Sequence, residues 1–225
     1  MNKQKLLMEY LISSLASEME ASRLSTPAFP LETCPQAIWR HKVLCVLSSQ
    51  FSAQRAAVIS DRIVREVPFF DLSLNFCKIE EACFCFLSSS RIGYRFPKAR
   101  ARQISLCWFP FAQIKDNYHE YVRSFSSEED ARKAIVEIFP GIGLKQASMF
   151  LRNIGASKSL SVIDAHTLFY LRICHNWTKS LTPRRYLEAE DIFRQDASLY
   201  RLDLNIFDTI VWTAVKALKR VTGYV

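Results

Sequence analysis

The sequence predicts an all-α fold, on three observations. Only 5 of 225 residues are glycine, too few for the many tight turns of a β fold. Apolar residues recur three and four positions apart in one segment after another. No stretch sustains the period-two alternation of a half-buried strand. A hydrophobic share of 49%, with 12% aromatic residues, is enough for a packed core and excludes disorder as the main state. The chain has 30 Lys and Arg against 22 Asp and Glu, a net charge of +8. That balance suits a polyanion partner, nucleic acid before an anionic membrane. No run of 18 apolar residues exists to span a bilayer.

In MNKQKLLMEYLISSLASEME, Glu9 and Tyr10 interrupt the apolar stretch. The segment therefore reads as an amphipathic helix with Leu7, Tyr10, Leu11 and Leu15 on one side, rather than as a secretion signal. Residues 1–35 are expected to form an N-terminal extension. A break over Leu24–Leu31, containing Pro27 and Pro30, precedes a helix that starts near Pro35 and carries Ile38, Trp39 and Leu44 to Leu47. Residues 52–66 are amphipathic, and Pro68 stops them. Residues 78–90 predict another buried helix. Residues 91–102 then carry Arg91, Arg95, Lys98, Arg100 and Arg102 with no acid among them. The run reads either as a solvated helix face or as a face for phosphate. The 7 cysteines are irregularly spaced and lack C-x-x-C, the pattern of buried reduced thiols rather than of a disulfide frame or a metal site. None lies beyond Cys174 to build an iron–sulfur loop.

Further along, Ser126 and Glu129 fit a capping box. Ala131, Ala134, Ile135, Ile138 and Phe139 follow as a helical stripe. Pro140-Gly141-Ile142-Gly143 ends that helix, Leu144 to Ile154 predicts the next, and Gly155 stops it. A last helix over 203–221 has Leu204, Phe207, Val211, Ala214, Val215 and Leu218 along one side.

The helix–Pro-Gly-Ile-Gly–helix unit has a chemical use. Gly141 and Gly143 allow positive φ and close backbone approach. Amides of the turn and of the following helix start form a site for one DNA phosphate, independent of base sequence. A nucleotide-binding phosphate loop is excluded, because GIGLKQAS lacks the G-x-x-x-x-G-K-[ST] spacing. A plain helix–turn–helix corner is the alternative. Lys145 falls in the first turn of the second hairpin helix, where the positive helix end disfavours an ammonium and makes the amine a candidate nucleophile. Asp164 precedes Ala165, Leu168 and Phe169 as a helix cap, and the helix start favours its carboxylate. Taken separately, Lys145 reads equally as a phosphate contact and Asp164 as a cap only.

Together, FPGIGLKQASMFLRNIG and LSVIDAHTLFYL resemble the helix-hairpin-helix, Gly/Pro-rich loop, Asp superfamily of DNA glycosylases. They look most like its prokaryotic 8-oxoguanine DNA glycosylase/AP lyase branch, the second Ogg type. VLCVLSSQ, YRFPKARARQI and IVWTAVKALKRVTGY look like the same branch. The resemblance begins near residue 40, reaches the last residue, and is strongest over 139–170. It implies two helical lobes with the hairpin element between them: 36–104 with 185–225, and 105–184. It implies that Lys145 is the catalytic lysine, Asp164 the catalytic aspartate, and Gly141 and Gly143 the hairpin glycines. His166 is expected near the DNA backbone, with Arg100 and Arg102 as further DNA contacts. Trp212 is expected to stack on the flipped base; on an amphipathic helix it otherwise reads as core.

The implied activity is base-excision repair. An oxidised purine, 8-oxoguanine first, is excised through a lysine Schiff base, and the strand is nicked by β-elimination. The implied partner is double-stranded DNA with a damaged or modified base, bound by a monomer in the cytoplasm at the nucleoid. No cofactor or catalytic metal is required, although hairpin carbonyls hold Na⁺ or K⁺ in relatives. The chain departs from the branch at its end. Members finish on a lysine that helps read oxidised guanine, whereas this chain finishes Thr222-Gly223-Tyr224-Val225, with Lys216, Lys219 and the Val225 carboxylate nearby. Two other readings stand beside this one. One is a glycosylase of the same chemistry acting on another damaged or phage-modified base; the other is a non-catalytic hairpin DNA-binding module.

Overall fold

A computed structural model describes residues 3–21, 31–49, 51–71, 73 and 75–223. Among them are eleven α-helices and no strand: α1 (Lys3–Ala21), α2 (Pro35–Leu47), α3 (Ala53–Glu66), α4 (Phe76–Ser88), α5 (Pro97–Ile114), α6 (Tyr118–Arg123), α7 (Glu128–Ile138), α8 (Leu144–Asn153), α9 (Ala165–His175), α10 (Pro183–Leu199) and α11 (Leu204–Thr222). The all-α expectation holds. The break expected over Leu24–Leu31 falls outside the described residues except for Leu31.

The chain divides into two compact units, Phe29–Ala156 and Met1–Ala28 with Ser157–Val225. This differs from the grouping expected from sequence, which joined 36–104 to 185–225 and set 1–35 apart. The reason lies in the packing. In the first unit α2 packs on α3, α5 and α8, and α4 packs on α5; in the second, α1 packs on α9 and α11.

The core of the 29–156 unit is aromatic. Trp39 of α2 is fully buried against Phe69, Trp108 and Phe111, with ring centroids 5.0–5.3 Å away. Such edge and offset contacts add to the hydrophobic gain of burying rings this large. Asn75 caps α4 by accepting from the Lys78 amide at 3.1 Å, so that helix starts at Phe76 and ends at Ser88, two residues earlier at each end than 78–90. The basic run is not one helical face: residues 91–96 are irregular, and α5 begins at Pro97, a residue suited to the first helical turn. The start of α7 also shifts by one residue. Ser127, not Ser126, is the N-cap and accepts from the Asp130 amide at 3.0 Å, while Ser126 donates to the Asp130 carboxylate. Arg132 of α7 donates to the Ser148 hydroxyl of α8 at 3.2 Å, joining the two hairpin helices inside the unit.

In the second unit, Tyr170, Phe193 and Phe207 form the aromatic centre. The buried Asp196 carboxylate accepts from the Tyr170 hydroxyl and contacts His175 Nε2, each at 2.7 Å. The first helix is part of this core, because Met8 and Ile12 are completely enclosed. The expected stripe was placed one residue off: Tyr10 is 69% exposed. All seven cysteines are free; Cys45, Cys83, Cys107 and Cys174 are buried, but Cys34, Cys77 and Cys85 are exposed, against the expectation of buried thiols throughout.

Candidate active site

The hairpin in the 29–156 unit begins where α7 stops at Ile138. The Phe139 carbonyl accepts from the Ile142 amide at 3.1 Å, and Gly141 turns the chain at φ +75°. A side chain is doubly excluded at Gly141: the backbone is left-handed, and a Cβ would stand 2.6 Å from Gln103 Nε2. Gly143 differs from expectation. It is extended (φ −97°, ψ −178°) and caps α8, its amide donating to Gln146 Oε1 at 3.2 Å. Its small size keeps a Cβ from pressing on that oxygen, which would lie 3.3 Å away. Lys145 is the second residue of α8 and is half-buried. The Cys45 thiol of α2 feels its charge but stays protonated, pushed up to about 12 by burial.

Arg100 and Arg102, both on α5, have different surroundings. Arg100 is half-buried and donates to the Ser49 hydroxyl at 2.7 Å and to Gln103 Oε1. Arg102 is exposed.

In the other unit, Asp164 is the N-cap of α9. Its Oδ1 accepts from the His166 amide at 2.7 Å and the Thr167 amide at 3.0 Å, which holds the carboxylate against the positive helix end. Oδ2 faces His166 Nδ1 at 3.5 Å, too far for a good hydrogen bond, and Nδ1 has no other partner. The His166 ring lies 5.8 Å from the Trp212 ring. Trp212 is 41% exposed, so it is not the core residue that an amphipathic helix first suggests, and Lys216 Nζ sits 3.4 Å over its ring. Asp164, His166, Trp212 and Lys216 thus form one cluster within this unit.

Sequence reasoning missed the support behind Asp164. The Tyr186 hydroxyl of α10 donates to the Ser161 carbonyl at 2.8 Å and accepts from the Ile163 amide at 3.2 Å. The buried Glu190 carboxylate accepts from the Ser161 amide at 2.8 Å. These bonds pin the extended approach to Asp164 across more than 20 residues of chain, and no local pattern announces them.

Among the described residues, no group of three or more His, Cys, Asp or Glu is gathered as a metal site. The hairpin carbonyls of Phe139, Pro140 and Gly141 each accept a hydrogen bond or a thiol contact from the protein. Val225, whose carboxylate is expected near a base pocket, lies outside the described residues.

The 8-oxoguanine DNA glycosylase family model matches residues 30–202. That span includes Gly141, Gly143, Lys145, Asp164 and His166, whereas Trp212 and Lys216 lie beyond it. The 8-oxoguanine DNA glycosylase/AP lyase of Methanocaldococcus jannaschii is 34% identical over 171 residues, 75% of each chain. A crystal structure of the 8-oxoguanine DNA glycosylase from that organism is similar over 98% of this chain and 95% of its own, with 27% identity and a TM-score of 0.69. A second, in complex with a 15mer DNA containing 8-oxoguanine, covers 96% and 92% with 27% identity and a TM-score of 0.62. The likeness therefore extends beyond the range legible from sequence, into the N-terminal helix. The chain belongs to the 8-oxoguanine DNA glycosylase family.

Proposed function

We propose that the protein excises 8-oxoguanine from double-stranded DNA and then nicks the strand at the resulting site, with Lys145 as nucleophile and Asp164 as the assisting carboxylate. The observation that carries the reading is the hairpin that delivers a half-buried lysine in the first turn of α8, in a chain whose family model spans 30–202.

The damaged nucleotide leaves the stack, at an unstacking cost of roughly a few kcal/mol. Asp164 helps to deprotonate Lys145, and its carboxylate, once the proton has passed on to solvent, stabilises the positive charge that builds on the sugar. The Lys145 lone pair attacks C1′, the N-glycosidic bond breaks, and the base departs with that electron pair and a proton. Opening of the sugar ring at O4′ gives a protonated imine between Lys145 and C1′. The imine acidifies C2′; loss of a C2′ proton expels the 3′ phosphate and nicks the strand. Hydrolysis of the imine returns the lysine. No step needs a redox group or a metal ion.

Gly141, Gly143 and the amides that start α8 bind a backbone phosphate without reading bases. His166 lies beside the same backbone, and Trp212 offers its exposed face to the extruded base. Its exposure and its place beside His166 support that role. The protein acts as a monomer at the nucleoid.

Borohydride trapping tests the reading. Wild-type protein should form a covalent adduct with 8-oxoguanine and abasic duplexes. Lys145→Gln should form none while keeping most of its duplex affinity, and Asp164→Asn, which keeps the cap, should react about 10²–10⁴-fold more slowly. An adduct with Lys145→Gln would remove the lysine from its role. Trapping on abasic duplex with no release of 8-oxoguanine opposite any base would move the substrate to another modified base.

A further inference from the structure

We infer that Gln103 is a positioning residue for the hairpin nucleophile, held in its working orientation by Arg100 and Ser49. This rests on the proposed role of Lys145. Gln103 Nε2 donates to the Gly141 carbonyl at 2.9 Å and lies 3.5 Å from the Pro140 carbonyl. One turn along α5, Cys107 Sγ contacts the Pro140 carbonyl at 3.6 Å. Two side chains on one face of α5 thus hold two successive carbonyls of the turn.

A side-chain amide works in this position only one way round, since its nitrogen must face the carbonyl. Arg100 sets that choice. Its guanidinium has only donors, so it takes Gln103 Oε1 and leaves the Gln103 nitrogen for Gly141. Arg100 is itself fixed by the Ser49 hydroxyl at 2.7 Å, and that hydroxyl donates to the Val46 carbonyl at the end of α2. The line runs from the end of α2 through Ser49, Arg100 and Gln103 to the Gly141 carbonyl, four residues before Lys145.

Gly141 is part of the same device. Its missing Cβ is what lets the Gln103 amide approach to bonding distance. The turn can swing only by breaking the Gln103 bond, and any swing redirects the first turn of α8, where the amine stands. Small misplacements of a reacting group cost on the order of 10²-fold in rate, so one such bond is enough to matter.

Single-turnover borohydride trapping on abasic duplex provides the test, because amplitude reports the folded fraction and the rate constant reports positioning. Gln103→Met keeps length without the donor. Gln103→Glu keeps shape and the Arg100 partner but also lacks the donor. Both should trap at least about tenfold more slowly than wild type, with duplex affinity within a few-fold and full amplitude. Arg100→Met, which frees the amide to flip, should fall between them and wild type. Wild-type rate constants in both Gln103 variants, or a loss of amplitude alone, would overturn the proposal. If one variant fails to fold, the other decides. Lys145→Gln, run alongside, keeps the two ideas apart: an adduct there defeats the nucleophile assignment, whereas no adduct there with normal Gln103 variants defeats only the positioning role.

Discussion

Two lysines of the 29–156 unit face opposite conditions. Lys145 is half-buried at a helix start, while Lys42 of α2 is fully enclosed and its amine has no hydrogen-bond partner. The Phe139 and Phe150 rings flank the Lys42 nitrogen at 3.7 and 3.5 Å, an arrangement that favours an ammonium. Burial opposes it more strongly and lowers the amine from 10.5 to about 7; the Cys107 and Cys45 thiols that face it offset only part of this. Between those values the unfolded chain holds a proton that the folded chain has released. Stability therefore rises with pH from about 7 toward 10, and the cost of the buried amine is constant below 7. Lys42→Met should flatten that rise and stabilise the protein near pH 6 by on the order of a few kcal/mol. Denaturant midpoints across the pH series measure it; parallel pH profiles for the variant and wild type would mean the amine is not the titrating group. Nothing in the periodicity of α2 announced this, because Lys42 reads as a polar break in an apolar helix.

At the scale of elements, legibility followed local signals. The hairpin helices α7 and α8 were readable because an apolar stripe, a Pro-Gly break and a glycine stop all lie within thirty residues. The cap of α7 was misplaced because two adjacent serines compete, and only the fold decides that Ser127 takes the Asp130 amide. α5 was hidden by the basic run at its start and by Pro110 inside it, which removes one helix hydrogen bond without ending the helix. α10 was hidden because its buried side mixes a thin apolar line, Tyr186, Ala189, Phe193 and Ala197, with the buried carboxylates Glu190 and Asp196. The sequence of α1 is legibly amphipathic, but its partners α9 and α11 lie more than 140 residues away and leave no local trace. Since Ile12 is completely enclosed where α1 packs on α9 and α11, Ile12→Ala should cost about 2–5 kcal/mol of stability. Tyr10→Ala, on the exposed side, should change it by less than about 0.5 kcal/mol. Equal, small effects in chemical denaturation would return α1 to the status of an extension.

For the whole molecule, the site was legible where chemistry is local and silent where it is not. Lys145 and Asp164 stand in short motifs, but Gln103 meets Gly141 across 38 residues and Tyr186 meets Ser161 across 25. The same difference separates the two arginines expected to touch DNA. The net charge of +8 predicts binding that weakens steeply with salt and ignores surrounding sequence. Each side chain that neutralises a phosphate contributes about 0.9 to the slope of log affinity against log salt. Arg102 is exposed on α5 and able to contribute a full share, so Arg102→Ala should flatten the slope by about 0.9. Arg100 is already bonded to Ser49 and Gln103, so Arg100→Ala should flatten it less and slow trapping instead. Duplex affinity measured over a salt series with both variants separates these effects. A slope unchanged by Arg102→Ala would leave that part of α5 as an ordinary solvated face. A larger change from Arg100 than from Arg102 would mean that Arg100 gives up its internal bonds to reach phosphate.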